Sequence, residues 1–322
     1  MNAICLEDGQ LIIRSDYPKP ELNPGQARLA ISVAGICSTD LEIVKGYVPG
    51  FQGVLGHEFV AVVEAVADPV HADWVGRRVV GGINIGCGEC PTCLSDGPEH
   101  CPRRHTLGIH NWDGVFADFA VLPVTNLLPV PDNVPDEAAV FTEPLAAALR
   151  IRDQVRVRPS ARTAVIGPGR LGLLVGLVLA LDGTEVIMLG RRESSLALPA
   201  KLGLPTGLAE AFADSSFDFV VEVTGNEAGF AQALRLVRPL GTLVLKSTFA
   251  GKANINLTKL VVDEITTIGS RCGPFAPALR LLAQDAIPVQ ALIDGQYPLS
   301  QGLAAFEHAA QSGIRKILLR PS

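Results

Sequence analysis

Between residues 163 and 190 the chain carries the pattern that most restricts its fold. A short apolar run at 164–166 leads into Gly167-Pro168-Gly169-Arg170-Leu171-Gly172. An unbroken apolar and glycine stretch then occupies 171–181, and a second strand-like run follows at 185–189. Strand, glycine turn, helix and strand in that order make a βαβ unit, and such units build parallel sheets. The first glycine permits the tight turn, the second lets backbone approach a pyrophosphate, and the third allows close packing of helix on strand. The helix N-terminus meanwhile offers unpaired N–H groups to an anion. Gly167, Gly169, Arg170, Leu171 and Gly172 are therefore candidate dinucleotide-binding residues.

The residue closing the next strand discriminates between the two nicotinamide dinucleotides, because an acid there binds the adenosine ribose and repels an added phosphate. That position is Gly190, followed by Arg191 and Arg192. Their guanidinium groups either grip a 2′-phosphate or simply face solvent. The expectation is NADP favoured over NAD. Further strands are expected at 217–223 and 242–245 and helices at 227–237 and 276–283, so the parallel sheet runs to about residue 270. Thr224, directly after the first of these strands, joins the cofactor-binding candidates.

The stretch before this is different in texture. Short β-rich runs at 27–33, 59–66, 77–80 and 117–122 are separated by glycine and proline, as in an all-β unit with insertions. A helical pattern at 303–311 and a strand at 316–319 are expected to return the tail to that first unit. The resulting division is residues 1–143 with 271–322 for the mostly-β domain and 144–270 for the α/β domain.

Seven cysteines are unevenly placed. Cys87, Cys90, Cys93 and Cys101 cluster, and four thiolates at short spacing close a tetrahedral zinc site without help from the rest of the fold. An iron–sulfur cluster is the rival, but the bacterial ferredoxin run places its last cysteine after three residues, and here seven intervene. Cys37 and His57 form a softer, scattered pair suited to zinc, with Glu58 and Glu143 as carboxylates for the remaining places. Asp40 is placed to accept the second ring N–H of His57. Cys5 and Cys272 are expected to be buried small hydrophobes, and His110-Asn111-Trp112 a surface loop.

Taken together, Gly35-Ile36-Cys37-Ser38-Thr39-Asp40, Gly56-His57-Glu58, Glu143-Pro144, the four clustered cysteines and the glycine turn resemble the zinc-dependent medium-chain dehydrogenase/reductase family over essentially the whole chain. The resemblance implies a GroES-like, mostly-β catalytic domain and a Rossmann, doubly wound parallel-sheet domain, with the cofactor in the cleft between them. It implies catalytic zinc on Cys37 and His57, with Glu58 or Glu143 or both approaching the metal, and structural zinc on the four clustered cysteines. It further implies a proton relay through Thr39, possible assistance from Ser38, and a cofactor contact at Arg315. Alcohol dehydrogenases of this family place a cysteine where this chain has Glu143, and the Glu143-Pro144 pair is similar to the sorbitol, threonine and glucose dehydrogenase branch. Ala61 also stands where glycine is usual. The implied chemistry is reversible oxidation of an alcohol, polyol or sugar, with zinc as Lewis acid. A zinc-free quinone or enone reductase and a non-catalytic dinucleotide sensor are the alternatives.

Composition restricts the partners. The formal net charge is −6, and no long basic tract concentrates the positive charge that a nucleic-acid backbone requires. The arginines at 150–162 interleave with apolar residues, as on a solvated helix face. No apolar run approaches the roughly 20 residues of a membrane span, and no secretory leader is visible, so a cytoplasmic enzyme is expected. The resemblance implies a homo-oligomer, dimer or tetramer, acting on a small-molecule alcohol or carbonyl.

Overall fold

The strand Gln26–Ile36 alternates half-buried and buried residues as far as Val33, then buries Ala34 to Ile36 without interruption. In the computed structural model of the chain, which describes residues 1–181, 183–248 and 256–321, this strand organises the first of two units. That unit comprises Met1–Glu143 with Phe275–Ser322, and the second is Pro144–Pro274. The return junction falls at Pro274/Phe275, where the sequence places it at 270/271.

In the first unit a seven-stranded sheet runs in the order Leu127–Pro129, Arg78–Gly81, Glu58–Val66, Gln26–Ile36, Lys316–Arg320, Ile293–Pro298, with Phe119–Pro123 also paired to Gln26–Ile36. The period-2 pattern of Gln26–Ile36 places Ala27, Leu29, Ile31 and Val33 in the core. Register then fixes the chemistry. Gly35 faces Glu58 on one neighbour and Leu318 on the other, so the ends of three strands distant in sequence converge beside Cys37.

The second unit is a six-stranded parallel sheet ordered Thr206–Leu208, Val186–Gly190, Thr163–Ile166, Phe217–Glu222, Val237–Leu245, Thr266–Gly269. Strand order reverses between Thr163–Ile166 and Phe217–Glu222. In open α/β sheets ligands bind at the strand ends at such a switch point. The helix Arg170–Ala180 buries every residue from Gly172 to Leu179, as an all-round apolar helix must. Phe217, Phe230, Leu234 and Leu243 fill the opposite layer.

Three strands at sheet ends escape the sequence pattern. Thr206–Leu208 is only three residues long and half-buried throughout, Thr266–Gly269 is almost wholly exposed, and Ile293–Pro298 carries a glycine and a proline. None shows the apolar alternation that marks a half-buried strand. Val237–Leu245 begins ahead of the expected 242. Among the described residues no helix is long and apolar enough to cross a membrane.

Candidate active site and metal centres

Cys37 ends the long strand and caps the short helix Ser38–Val44. Its own N–H donates to Asp40 Oδ2 at 2.7 Å, which locks the turn and leaves the thiol facing inward. Asp40 is fully buried, and its other oxygen lies 3.2 Å from His57 Nδ1. That approach lies off the hydrogen-bond axis, so neither atom has a well-formed bond. With Nδ1 turned to Asp40, Nε2 is the ring atom left for a metal.

Burial disfavours the His57 imidazolium, yet the neighbouring Asp40 carboxylate and Cys37 thiol outweigh it and push His57 well above the usual histidine range. Gly56 delivers the ring: its φ of +96° is left-handed, and a Cβ there would lie 2.5 Å from the Phe116 ring.

Cys37, His57 and Glu58 bring one ligand atom each to within 4.8 Å of one another. Glu58 Oε1 is buried without a hydrogen-bond partner, an expensive arrangement unless something electropositive sits there. A thiolate, an imidazole and this orphaned carboxylate oxygen fit zinc with one position open. Glu143 stands outside this group, half-buried in the first turn of the helix Thr142–Gln154. The Thr39 hydroxyl lies 3.8 Å from Cys37 Sγ, whereas Ser38 is exposed.

One residue of the site has no counterpart in the sequence reading. Lys316 is buried, its ammonium pairs with Glu58 Oε2, and it lies 5.4 Å from the centroid of the Phe141 ring. Gly35 makes the room: a Cβ there would stand 2.7 Å from Glu58 Oε2 and 3.2 Å from Lys316 Cδ. The available signal was a lysine opening a strand whose next three residues, Ile317, Leu318 and Leu319, are apolar and buried. Its neighbour Arg315 is held in an ion pair by Asp294 at 3.2 Å.

The four-cysteine lobe is tested by its sulfur spacing. Cys87 to Cys93 is 3.9 Å, Cys90 to Cys101 is 3.8 Å and Cys87 to Cys101 is 3.6 Å. A tetrahedron with Zn–S bonds of about 2.3 Å has sulfurs about 3.8 Å apart. The backbone N–H groups of Glu89 and Cys90, working against desolvation, hold the Cys87 thiol down at about 6. Gly86 is obligatory beside it, because a Cβ would lie 2.8 Å from Cys93 Sγ. Cys5 is fully buried and its thiol is pushed up to about 12, chiefly by desolvation. Cys272, expected to be buried, is only half-buried, because it lies in the loop before the helix Phe275–Ala283 rather than in a core strand.

In the second unit, Gly167 adopts φ +107°, and a Cβ on it would lie 2.8 Å from the Val223 carbonyl oxygen. A Cβ on Gly172 would lie 1.9 Å from Gly167 O, whereas one on Gly169 would meet nothing within 4 Å. Gly169 also caps the helix Arg170–Ala180 with no side-chain hydrogen bond. The first N–H groups of the helix thus have no side-chain cap at Gly169, as an anion-binding N-terminus requires. Leu171 is half-buried in the first turn. At Gly190 a Cβ would lie 2.6 Å from Ser195 Oγ and 2.8 Å from Leu196 Cδ2. A side chain at this position would have to displace Ser195 and Leu196, and the exposed Arg191 and Arg192 follow.

A β unit with one open and one closed metal-ligand cluster, joined in one chain to a parallel sheet with a glycine-rich turn at its switch point, defines a metal- and dinucleotide-dependent oxidoreductase. The chain belongs to the zinc-dependent medium-chain dehydrogenases of the alcohol dehydrogenase superfamily. Residues 23–132 match the alcohol dehydrogenase GroES-like domain and residues 171–284 the zinc-binding dehydrogenase domain. The chain is 30% identical over 322 residues to D-altritol 5-dehydrogenase of Agrobacterium fabrum, covering 95% of each chain. It is 29% identical to sorbitol dehydrogenase of Halalkalibacterium halodurans, covering 94% of each. A zinc-binding dehydrogenase of Sinorhizobium meliloti 1021, solved bound to NADP, superposes with a TM-score of 0.91 at 28% identity over 99% of both chains. Membership makes this chain an oxidoreductase that moves hydride between an alcohol and a nicotinamide dinucleotide, with zinc. Neither a zinc-free reductase nor a non-catalytic sensor is favoured.

Proposed function

We propose that the chain is a polyol or sugar-alcohol dehydrogenase that prefers NADP, with catalytic zinc on Cys37, His57 and Glu58 and structural zinc on Cys87, Cys90, Cys93 and Cys101. The observation that carries the zinc assignment is the convergence of three ligand atoms within 4.8 Å, beside a Glu58 oxygen, Oε1, that is buried without a hydrogen-bond partner. Glu143 is then a residue that approaches the site without being a resting ligand. When bound, zinc polarises the alcohol oxygen and the nicotinamide accepts the hydride. Asp40 fixes the His57 tautomer. The Thr39 hydroxyl accepts the proton leaving the substrate oxygen, and the exposed Ser38 beside it offers the route to solvent. Lys316 holds Glu58 Oε2, so that only Oε1 is left to turn to the metal.

The NADP preference rests on Gly190, which puts no acid at the position that binds the adenosine ribose, and on the two arginines that follow. Gly167, Gly169, Arg170, Leu171, Gly172 and Thr224 form the remainder of the nucleotide site, and Arg315 is a contact for it. The polyol class rests on the D-altritol and sorbitol dehydrogenases among the relatives. A homo-oligomer, dimer or tetramer, belongs to the same proposal and is read by light scattering. Seven free thiols, four at metal-thiolate spacing, suit the reducing cytoplasm.

The test is oxidation of polyols, aldoses, simple alcohols and threonine with NADP and NAD in parallel, on zinc-replete protein and on a chelated control. Polyol turnover with NADP that disappears on chelation supports the assignment. Turnover confined to NAD, or unaffected by chelation, overturns the corresponding part.

A further inference from the structure

Glu222 closes the strand Phe217–Glu222 and is 3% exposed. It lies next to the switch point, paired in register with Ile166, the last residue before the glycine turn. Nothing in the hydride chemistry calls for a carboxylate here. Burying one is costly unless its acceptor capacity is met, and here both oxygens are engaged. Oε1 accepts from Thr224 N at 2.6 Å and from Thr224 Oγ1 at 2.5 Å, and Oε2 accepts from Ser247 Oγ at 2.6 Å. Ser247 Oγ in turn accepts from Gly225 N at 2.8 Å. One side chain thereby ties together the loops that leave two adjacent strands, Phe217–Glu222 and Val237–Leu245.

The tied loop is the wall of the glycine turn. Val223 N donates to Ile166 O at 2.9 Å. A Cβ on Gly167 would lie 2.8 Å from Val223 O and 3.1 Å from Thr224 Cγ2. On its other side Thr224 is pressed by the following helix, where a Cβ on Gly229 would lie 1.8 Å from Thr224 Oγ1. Glu222 is thus the side chain that ties residues 223–225 to the neighbouring strand's loop, and those residues stand directly against Gly167.

We infer that Glu222 is a positioning residue for the dinucleotide: it does not touch the nucleotide but holds residues 223–225 against the glycine turn in the geometry that admits it. The inference rests on the dinucleotide reading of Gly167 to Gly172. Glu222→Gln is the variant to make, since at the same volume its Nε2 cannot accept, so that either Thr224 or Ser247 loses its acceptor. The affinity of NADP and of NAD is measured by fluorescence titration of the zinc-replete protein. Zinc content, thermal midpoint and the KM for alcohol at saturating nucleotide are measured beside it.

The expected result is a Kd raised about tenfold for both nucleotides alike, with two zinc ions per chain and an unchanged alcohol KM. Amide hydrogen exchange at Thr224 and Gly225 is expected to quicken in the variant. A folded E222Q with unchanged nucleotide Kd overturns the inference, whatever its thermal midpoint. Should E222Q fail to fold, Ser247→Ala removes the bond to Oε2 together with the one from Gly225 N, Thr224→Val removes the Oγ1 bond to Oε1, and nucleotide Kd unchanged in both overturns it equally. A wild-type protein that binds neither nucleotide overturns the dinucleotide reading itself, a separate outcome.

Discussion

Gly35 shows how much of the metal site depends on an atom that is missing. With only a hydrogen in place of Cβ, it admits a buried carboxylate and a buried ammonium side by side. Gly35→Ala is expected to cost about 1–3 kcal/mol through overpacking and to lower zinc content from two ions per chain to one, read by metal analysis of the dialysed protein. Retention of both ions would show that Glu58 does not need its present seat. Lys316→Met tests the same pair from the other side. In zinc-stripped protein it leaves Glu58 uncompensated, and a loss of about 3–5 kcal/mol is expected in urea unfolding. Cys37, His57 and Glu58 were legible in the sequence because ligand chemistry restricts residue type. Lys316 was not, because a lone lysine at the start of a strand acquires meaning only from the strand that faces it.

At the scale of elements, the two strands at the centre of the parallel sheet are tied at their starts by Asp218, which accepts from Arg162 N at 2.8 Å and from Arg238 Nε at 2.6 Å. The Arg162 amide, and after it the Arg238 guanidinium, hold its carboxyl below the ordinary value of 3.8. A depressed folded pKa contributes stability that is complete above the unfolded value and disappears as pH falls through the folded one. Asp218→Asn is therefore expected to be less stable than the parent at pH 7, with the gap closing below about pH 3.8, in parallel denaturant titrations. A constant gap down to the acid transition would sink that account.

The cysteine lobe makes its own prediction. In chelated protein at pH 7, Cys87 is expected to be alkylated ahead of Cys93, whose thiol is pushed up to about 12, mainly by desolvation, and zinc should abolish the difference. Peptide mass mapping reads it directly. The glycine turn and its helix were legible because three spaced glycines between a short strand and an unbroken apolar run are a loud signal. The end strands Thr206–Leu208 and Thr266–Gly269 were not, because they are held by backbone pairing to neighbours and not by an apolar face of their own.

Across the whole molecule, the candidate zinc ligands lie in the first unit and the glycine turn with Arg191 and Arg192 in the second, so the two are expected to fail separately. Cys37→Ser is expected to abolish turnover and leave nucleotide Kd within about twofold. Replacing Arg191 and Arg192 together by alanine is expected to raise the KM for NADP at least tenfold, as loss of a charge-assisted bond of about 1.5–3 kcal/mol implies, and to leave NAD nearly unaffected. Equal losses with both nucleotides would remove the arginines from the 2′-phosphate. The expected return of the tail to the first unit was drawn from a helical pattern at 303–311 and a strand pattern at 316–319. Its place beside Gln26–Ile36 was not legible, since pairing partners in a sheet are chosen by the whole fold.

Glu58 and Lys316 are 258 positions apart along the chain. As the polypeptide emerges from the ribosome, the ligands Cys37, His57 and Glu58 appear early, while the strand that neutralises Glu58 and fills the gap beside Gln26–Ile36 is made only after the entire contiguous second unit. Domains fold as units in the order they are made, so Pro144–Pro274 is free to finish first and the older segment must wait for its closing strand. On the proposed ligand set, catalytic zinc is therefore expected to load late in the life of the nascent chain. A chain stopped before residue 316 would carry every candidate ligand and still lack the counter-charge that seats Glu58.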